Sequence, residues 1–162
     1  PTNAEAGSIR LSNGMKLSDT IADGGLGIDS YTFQMAAADV AVKYQGFAAN
    51  TEFFFRTIDD VRTAAGPAGR TSYYDWGGYV DAGYMIIEKT LEPVLRVSSV
   101  QGAMGDSWEY AAGINYYVDG THLNKLSIDI AKLDGSPTSG SSPGYRVGDE
   151  GWFFRLQWQV AF

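Results

Sequence analysis

The sequence predicts an all-β chain, an antiparallel meander of strands forming the wall of a transmembrane β-barrel. Three observations carry this expectation. Apolar and polar residues alternate with period two, as in a strand with two unlike faces. The clearest case sets Trp108, Tyr110, Ala112, Ile114, Tyr116 and Val118 against Glu109, Ala111, Gly113, Asn115 and Tyr117. Second, the apolar parity is bulky and aromatic on successive strands, and the chain closes on Trp152, Phe154, Leu156, Trp158, Val160 and Phe162. Such a face in water is an aggregation hazard, whereas a strand facing lipid has no such problem. Third, 20 Gly, only 5 Pro and 14 % aromatic residues suit many strands joined by tight turns.

The bulk properties narrow the function classes. The 162 residues carry 12 basic and 19 acidic side chains, a formal net charge of -7, which argues against a nucleic-acid partner bound through its phosphates. Cysteine is absent, so no disulfide or thiolate metal site is expected. No run of about 18 apolar residues exists, so any membrane crossing falls to strands. The chain opens on Pro-Thr-Asn without an initiator Met or signal peptide, and reads as a processed product or a piece of a longer one.

Residues 1–36 read as a loop-rich segment, an extracellular loop or part of a strand, with a short hairpin at Asn13-Gly14 and a turn at Asp23-Gly24-Gly25. Gly24, Gly25 and Gly27 do not make a phosphate loop, since no apolar strand precedes them and no Lys-Ser/Thr follows. Residues 37–162 read as barrel strands. The first strand is expected from Asp29 to Gln45: Val40, Val42 and Tyr44 share one face, and Tyr31, Phe33 and Met35 fall on the other parity, which predicts either a bulge near Ala36 to Ala38 or an extension of the strand beyond the membrane. Gln45-Gly46 turns the chain into a strand over Phe47 to Thr57, and residues 59–72 read as a loop. The next strand runs from Tyr74 to Ile87. Leu91 to Val100 follows, with its paired part beginning after Pro93. A loop over Gly102 to Ser107 leads to Trp108–Val118, then to Lys125–Leu133. A Ser/Gly/Pro-rich loop over 134–151 precedes the last strand.

Connections after Gln45, Ile87 and Val118 read as short, and those after Ile58, Val100 and Leu133 as mostly longer. Outer-membrane barrels combine short periplasmic turns with longer outside loops. Tyr44, Trp76, Tyr84, Trp108, Tyr116, Trp152 and Trp158 then fall into two lipid-facing aromatic belts at the membrane interfaces. The last strand resembles the C-terminal signal of bacterial outer-membrane barrels. That resemblance makes Trp158, Val160 and Phe162 an assembly signal and implies the barrel-assembly machinery, outer-membrane lipid and lipopolysaccharide as partners.

The polar parity supplies the candidate site. Lys43, Glu52, Arg56, Asp81, Glu92, Arg96, Glu109, Lys125, Asp129 and Arg155 are expected to line a pore, with Asp39 and Asp75 on the same face. Across neighbouring strands such residues also form ion-pair ladders that only stiffen the wall. Arg56, Arg96 and Arg155 are the candidates for contact with an anionic solute. No catalytic constellation stands out: His122 sits in a turn remote from any nucleophile. No His/Cys spacing suggests a metal, and no cofactor is expected. Asp134, Asp149 and Glu150 match no EF-hand order, so loop 134–151 reads as an exposed loop.

Four stretches, "GFAANTEFFFRTIDDVR", "YYDWGGYVDAGYMIIEKTLEPVLRVSSV", "WEYAAGINYYVDGTHLNKLSIDIAKLDG" and "YRVGDEGWFFRLQWQVAF", resemble the C-terminal half of the phosphate-selective porin O and P family. The resemblance covers roughly residues 40–162, in register with the strands above. It implies a sixteen-stranded homotrimeric channel for small anions in the outer membrane of a Gram-negative cell envelope, to which this chain would contribute about seven to eight strands. Family specificity for phosphate rests on basic clusters largely outside the matched part, and this acidic chain departs from that pattern. The expectation is a porin passing small hydrophilic solutes, anions among them, by diffusion, without enzymatic chemistry. The alternatives are a structural or envelope-anchoring barrel without an open pore, and a soluble β-barrel for a small apolar ligand.

Overall fold

The computed structural model describes residues 9–21, 27–136 and 146–161. Eight strands form one sheet: β1 (Ile28–Tyr44), β2 (Phe47–Thr63), β3 (Gly66–Pro67), β4 (Tyr73–Tyr84), β5 (Leu91–Gly102), β6 (Gly105–Tyr117), β7 (Asn124–Asp134) and β8 (Gly151–Val160). Their order is β1-β2-β4-β5-β6-β7-β8, with the two-residue β3 paired only to β2. Every long strand is antiparallel to its neighbour, so the chain is an all-β meander.

The alternation in the sequence survives pairing. Direct partners such as Val80 and Val97, or Ile114 and Ile128, share the apolar parity, whereas Asp81 and Arg96, or Asp129 and Arg155, share the polar one. A slip of one residue anywhere would mix the two faces. Tight turns hold this register. Gln45 (φ 45°) and Gly46 (φ 83°) are both left-handed and join β1 to β2. Two consecutive positive φ values match the right-handed twist of a hairpin.

The first strand runs Ile28–Tyr44, within one residue of the expected Asp29 to Gln45 at each end, so residues 28–36 of the N-terminal segment belong to the sheet. Several other features differ from expectation, each for a local reason. Pairing runs unbroken from Thr32↔Asp59 to Tyr44↔Phe47, so no bulge lies at Ala36 to Ala38. The register shifts instead between Ile28 and Thr32, opposite Asp60, whose φ is 54°. Three consecutive alanines do not mark a parity, which is why Phe33 and Met35 can sit on the polar face without a slip. The second strand reaches Thr63, and β3 lies within the expected loop. Tyr84 ends β4 ahead of Ile87. The expected loop over Gly102 to Ser107 is a tight hairpin, with Gly102 paired to Gly105 and only Ala103–Met104 between them. It is among the shortest connections, so loop length does not alternate as expected there. Pro93 lies within the paired part of β5, opposite Ile114. The β4–β5 ladder stops at Gly83↔Val94, so Pro93 has one neighbouring strand, an edge position that tolerates a missing N–H.

Residues 9–21 carry the second unexpected feature. The hairpin at Asn13-Gly14 is present, with Leu11 N–H donating to Met15 O at 2.9 Å and Arg10 bridged to Lys16. A short 3-10 turn follows at Leu17–Thr20. Leu11 and Leu17 of this clip, residues 9–21, join Ile28, Ile58, Val61, Ala68 and Tyr73 in the main buried core, with Ile9, Ile21, Tyr31 and Met104 packed against it. This clip therefore caps one end of the sheet, that opposite the 45–46, 85–90 and 118–123 turns. Gly24, Gly25, residues 137–145 of the last loop and Phe162 lie outside the described residues.

Candidate functional site

The two faces of the sheet differ in chemistry and exposure. On the apolar face, Trp152, Phe154, Leu156 and Trp158 of β8 are 66–73 % exposed, and Val40, Val80, Leu95, Ile114 and Ile128 are exposed as well. All seven expected belt residues lie on this parity. Tyr44, Phe47 and Tyr84 are consecutive direct partners, as are Leu91, Tyr116, Leu126 and Trp158. At the other ends of the strands, Trp76 meets Phe53 with ring centroids 6.0 Å apart, and Trp108 stacks on Tyr110 at 5.9 Å. Trp152 lies opposite Lys132. Of the expected assembly signal, Trp158 and Val160 are exposed on this face, and the Trp158 indole donates to Asn124 Oδ1 at 3.1 Å.

The polar face is concave. A groove of about 590 Å³ runs across it, bounded by residues from β2 through β8. Its floor is made of small residues, among them Ala48, Gly83, Ala111, Gly113 and Ala131. At Gly113 the neighbouring strand leaves no space for a side chain: an added Cβ would lie 2.8 Å from Ile128 O and from Asp129 Cβ. All ten residues expected to line a pore lie on this parity, and seven border the groove: Asp81, Glu92, Arg96, Glu109, Lys125, Asp129 and Arg155.

Register brings these charges together. Arg96 on β5 lies between Asp81 on β4, at 3.4 Å, and Glu109 on β6, at 3.6 Å. Its guanidinium also covers the Tyr79 ring at 4.5 Å, a cation–π contact that flattens it against the wall. Arg155 Nε donates to Asp129 Oδ2 at 2.8 Å. Glu92 is held differently: Tyr117 OH and Asn115 Nδ2 donate to its Oε2 at 2.6 and 2.9 Å, and Ser127 Oγ donates to Asn115 Oδ1 at 2.6 Å. Lys125 has no carboxylate within ion-pair distance among the described residues.

Arg56 is placed unlike the other two candidate arginines. Its guanidinium bonds to Asp75, whose side chain is 1 % exposed, and donates to the Arg10 carbonyl at 2.6 Å. Ser107 Oγ donates to Ser12 O at 3.2 Å, and Met104 N–H to Ser12 Oγ at 3.3 Å. Arg56 thus fastens the clip to the sheet and lies outside the groove. Lys43 and Glu52 lie nearer the β1 edge, with Glu52 directly opposite Asp39. Like charges at opposed positions repel, so that pair does not stabilise the hairpin.

Asn115, Tyr117 and Ser127 fall on the polar parity in the sequence, but neutral polar residues on a strand carry no signal that would mark them as the residues orienting Glu92. The facing pairs Glu92↔Asn115 and Asn115↔Ser127 emerge only once register is known. No group of acidic, His or Cys side chains suited to a metal ion occurs among the described residues. Comparison with protein-family models, curated proteins and solved structures gave no match to this chain.

Proposed function

We propose that the chain forms part of the wall of an outer-membrane porin, its apolar face against lipid and its polar face lining a water-filled path for small hydrophilic solutes. The observation that carries this reading is the segregation of the faces: aromatic β8 side chains up to 73 % exposed on one side, and bonded charges over a concave groove on the other. Contiguous exposed apolar patches beyond a few hundred Å² are rare on soluble monomers. A soluble ligand-binding barrel would turn its apolar parity inward, opposite to the curvature here. Crossing a bilayer core takes roughly 9–11 residues of tilted strand, and the long strands here have 10 to 17.

Strand direction supports a larger wall. Six antiparallel steps lead from β1 to β8, so these two edges run the same way and could meet only in parallel. Antiparallel closure takes an odd number of further strands, a condition met by the sixteen-stranded trimer that the family resemblance implies. The aromatic belts would sit at the lipid and lipopolysaccharide interfaces, and the end of β8 would be read by the barrel-assembly machinery. Permeation is diffusive, and no residue acts in covalent chemistry. Planar-bilayer recording on the full-length protein tests the reading. Stepwise ion currents are expected; a detergent-extracted, folded protein that carries no current would refute the pore, and a folded protein in the aqueous phase without detergent would refute the membrane placement.

A further inference from the structure

We infer that this wall favours neutral, hydroxyl-rich solutes of the sugar and polyol class over anions; the inference rests on the porin reading and names its solute. Arginine in a pore recruits anions when its guanidinium is free to pair with them. Here Arg96 is shared by Asp81 and Glu109, and Arg155 is bonded to Asp129. An anion at either guanidinium must compete with a carboxylate already there. Arg56 is engaged by Asp75 beneath the clip and faces no groove. Of the groove's bases, Lys125 alone has no carboxylate within ion-pair distance among the described residues, and Glu92, bonded only by the neutral Tyr117 and Asn115, offsets its charge in the same groove. The groove thus borders on four carboxylates and three bases.

Mutually bonded charges still attract hydroxyl groups. A guanidinium has five N–H donors and a carboxylate about four lone-pair sites, so each pair keeps unused donors beside unused acceptors. A hydroxyl both donates and accepts, and can use the two together. Asn50, Asn115, Ser127 and Gln157 add uncharged groups of the same dual kind along the groove. The small-residue floor leaves room for a ring or a bent polyol to lie against the wall. A phosphate or carboxylate gains nothing from the acceptors and is repelled by them.

The test is swelling of liposomes containing the full-length protein, in sorbitol and in sodium gluconate, solutes of similar size that differ in charge. Sorbitol should enter faster. The double variant Asp81→Asn/Glu109→Gln releases Arg96 and should raise the gluconate-to-sorbitol rate ratio about threefold, the scale of one half-exposed ion pair. Arg96→Gln, which keeps both acids, should lower that ratio, and it serves if the double variant does not insert. Gluconate entering as fast as sorbitol in the unmodified protein overturns the inference. So does an unchanged ratio in the double variant, or a raised one in Arg96→Gln. Entry of neither solute would instead defeat the porin reading.

Discussion

Arg56 offers the sharpest test of how the clip is held. The Asp75 side chain is 1 % exposed, and its Oδ2 is bonded to Arg56, while Oδ1 has no partner among the described residues. Arg56→Met would keep the aliphatic stem and strand a buried carboxylate. Breaking a buried pair from one side costs about 3–5 kcal/mol, because the remaining charge loses its compensation without regaining water. The Arg10 carbonyl also loses its donor, an effect of about 1–3 kcal/mol where no water replaces it. The double variant Arg56→Met/Asp75→Leu removes both charges, leaves only the carbonyl unsatisfied, and should recover most of the loss. Urea unfolding in detergent micelles, followed by tryptophan fluorescence, measures both variants. A single variant losing under about 1 kcal/mol, or a double variant no better than the single, would refute the account.

Other consequences follow from packing and from one turn. Leu17 is fully buried in the apolar cluster, so Leu17→Ala should cost about 2–5 kcal/mol. Amide exchange at Ala68, which bonds to Val61 O within that cluster, should accelerate, while the β7–β8 amides stay protected. Gly113→Ala places a methyl group 2.8 Å from the Ile128 carbonyl, and should lower stability by about 1–3 kcal/mol with a reduced urea midpoint. In the turn after β6, the Asp119 carboxyl is held below its ordinary range by hydrogen bonds from the Thr121 hydroxyl and N–H. A lowered folded-state value means the stabilisation is present above the usual aspartate pKa of about 3.9 and is lost as pH falls through the lower folded value. Exchange of the Thr121 amide, corrected for its intrinsic pH dependence, should rise only in that acid window and should lose this feature in Asp119→Asn.

The strands of this chain were legible because a two-faced strand writes its faces into alternate residues. Trp108 to Tyr117 needs nothing but its own order to declare which side is apolar, and the same holds for Gly151 to Val160. That local property put all ten polar candidates on one face of the sheet and all seven aromatic candidates on the other, as the register has them. The bulge it allowed at Ala36 to Ala38 is absent, since small residues suit either face, and the loop it gave at Gly102 to Ser107 is a tight hairpin, since glycine is equally at home in both. The charge partners were beyond its reach. Alternation says that Arg56, Arg96 and Arg155 share a face, but the neighbours they meet depend on register across strands, which the turns set. So Arg96 came to rest between two carboxylates, and Arg56 was taken up by the clip. The clip itself was the least legible part. Ile9 and Leu11 are two apart and Leu17 and Ile21 four apart, pairs too short to declare a strand or helix face among Gly, Ser, Asn and Asp, and only the tertiary fold brings them against Ile58, Val61 and Tyr73. The two faces of the sheet are written in residue order, because facing is a property of neighbours along the chain. Which charges pair, and how the clip covers one end, arise only on folding, because both join residues far apart in the chain.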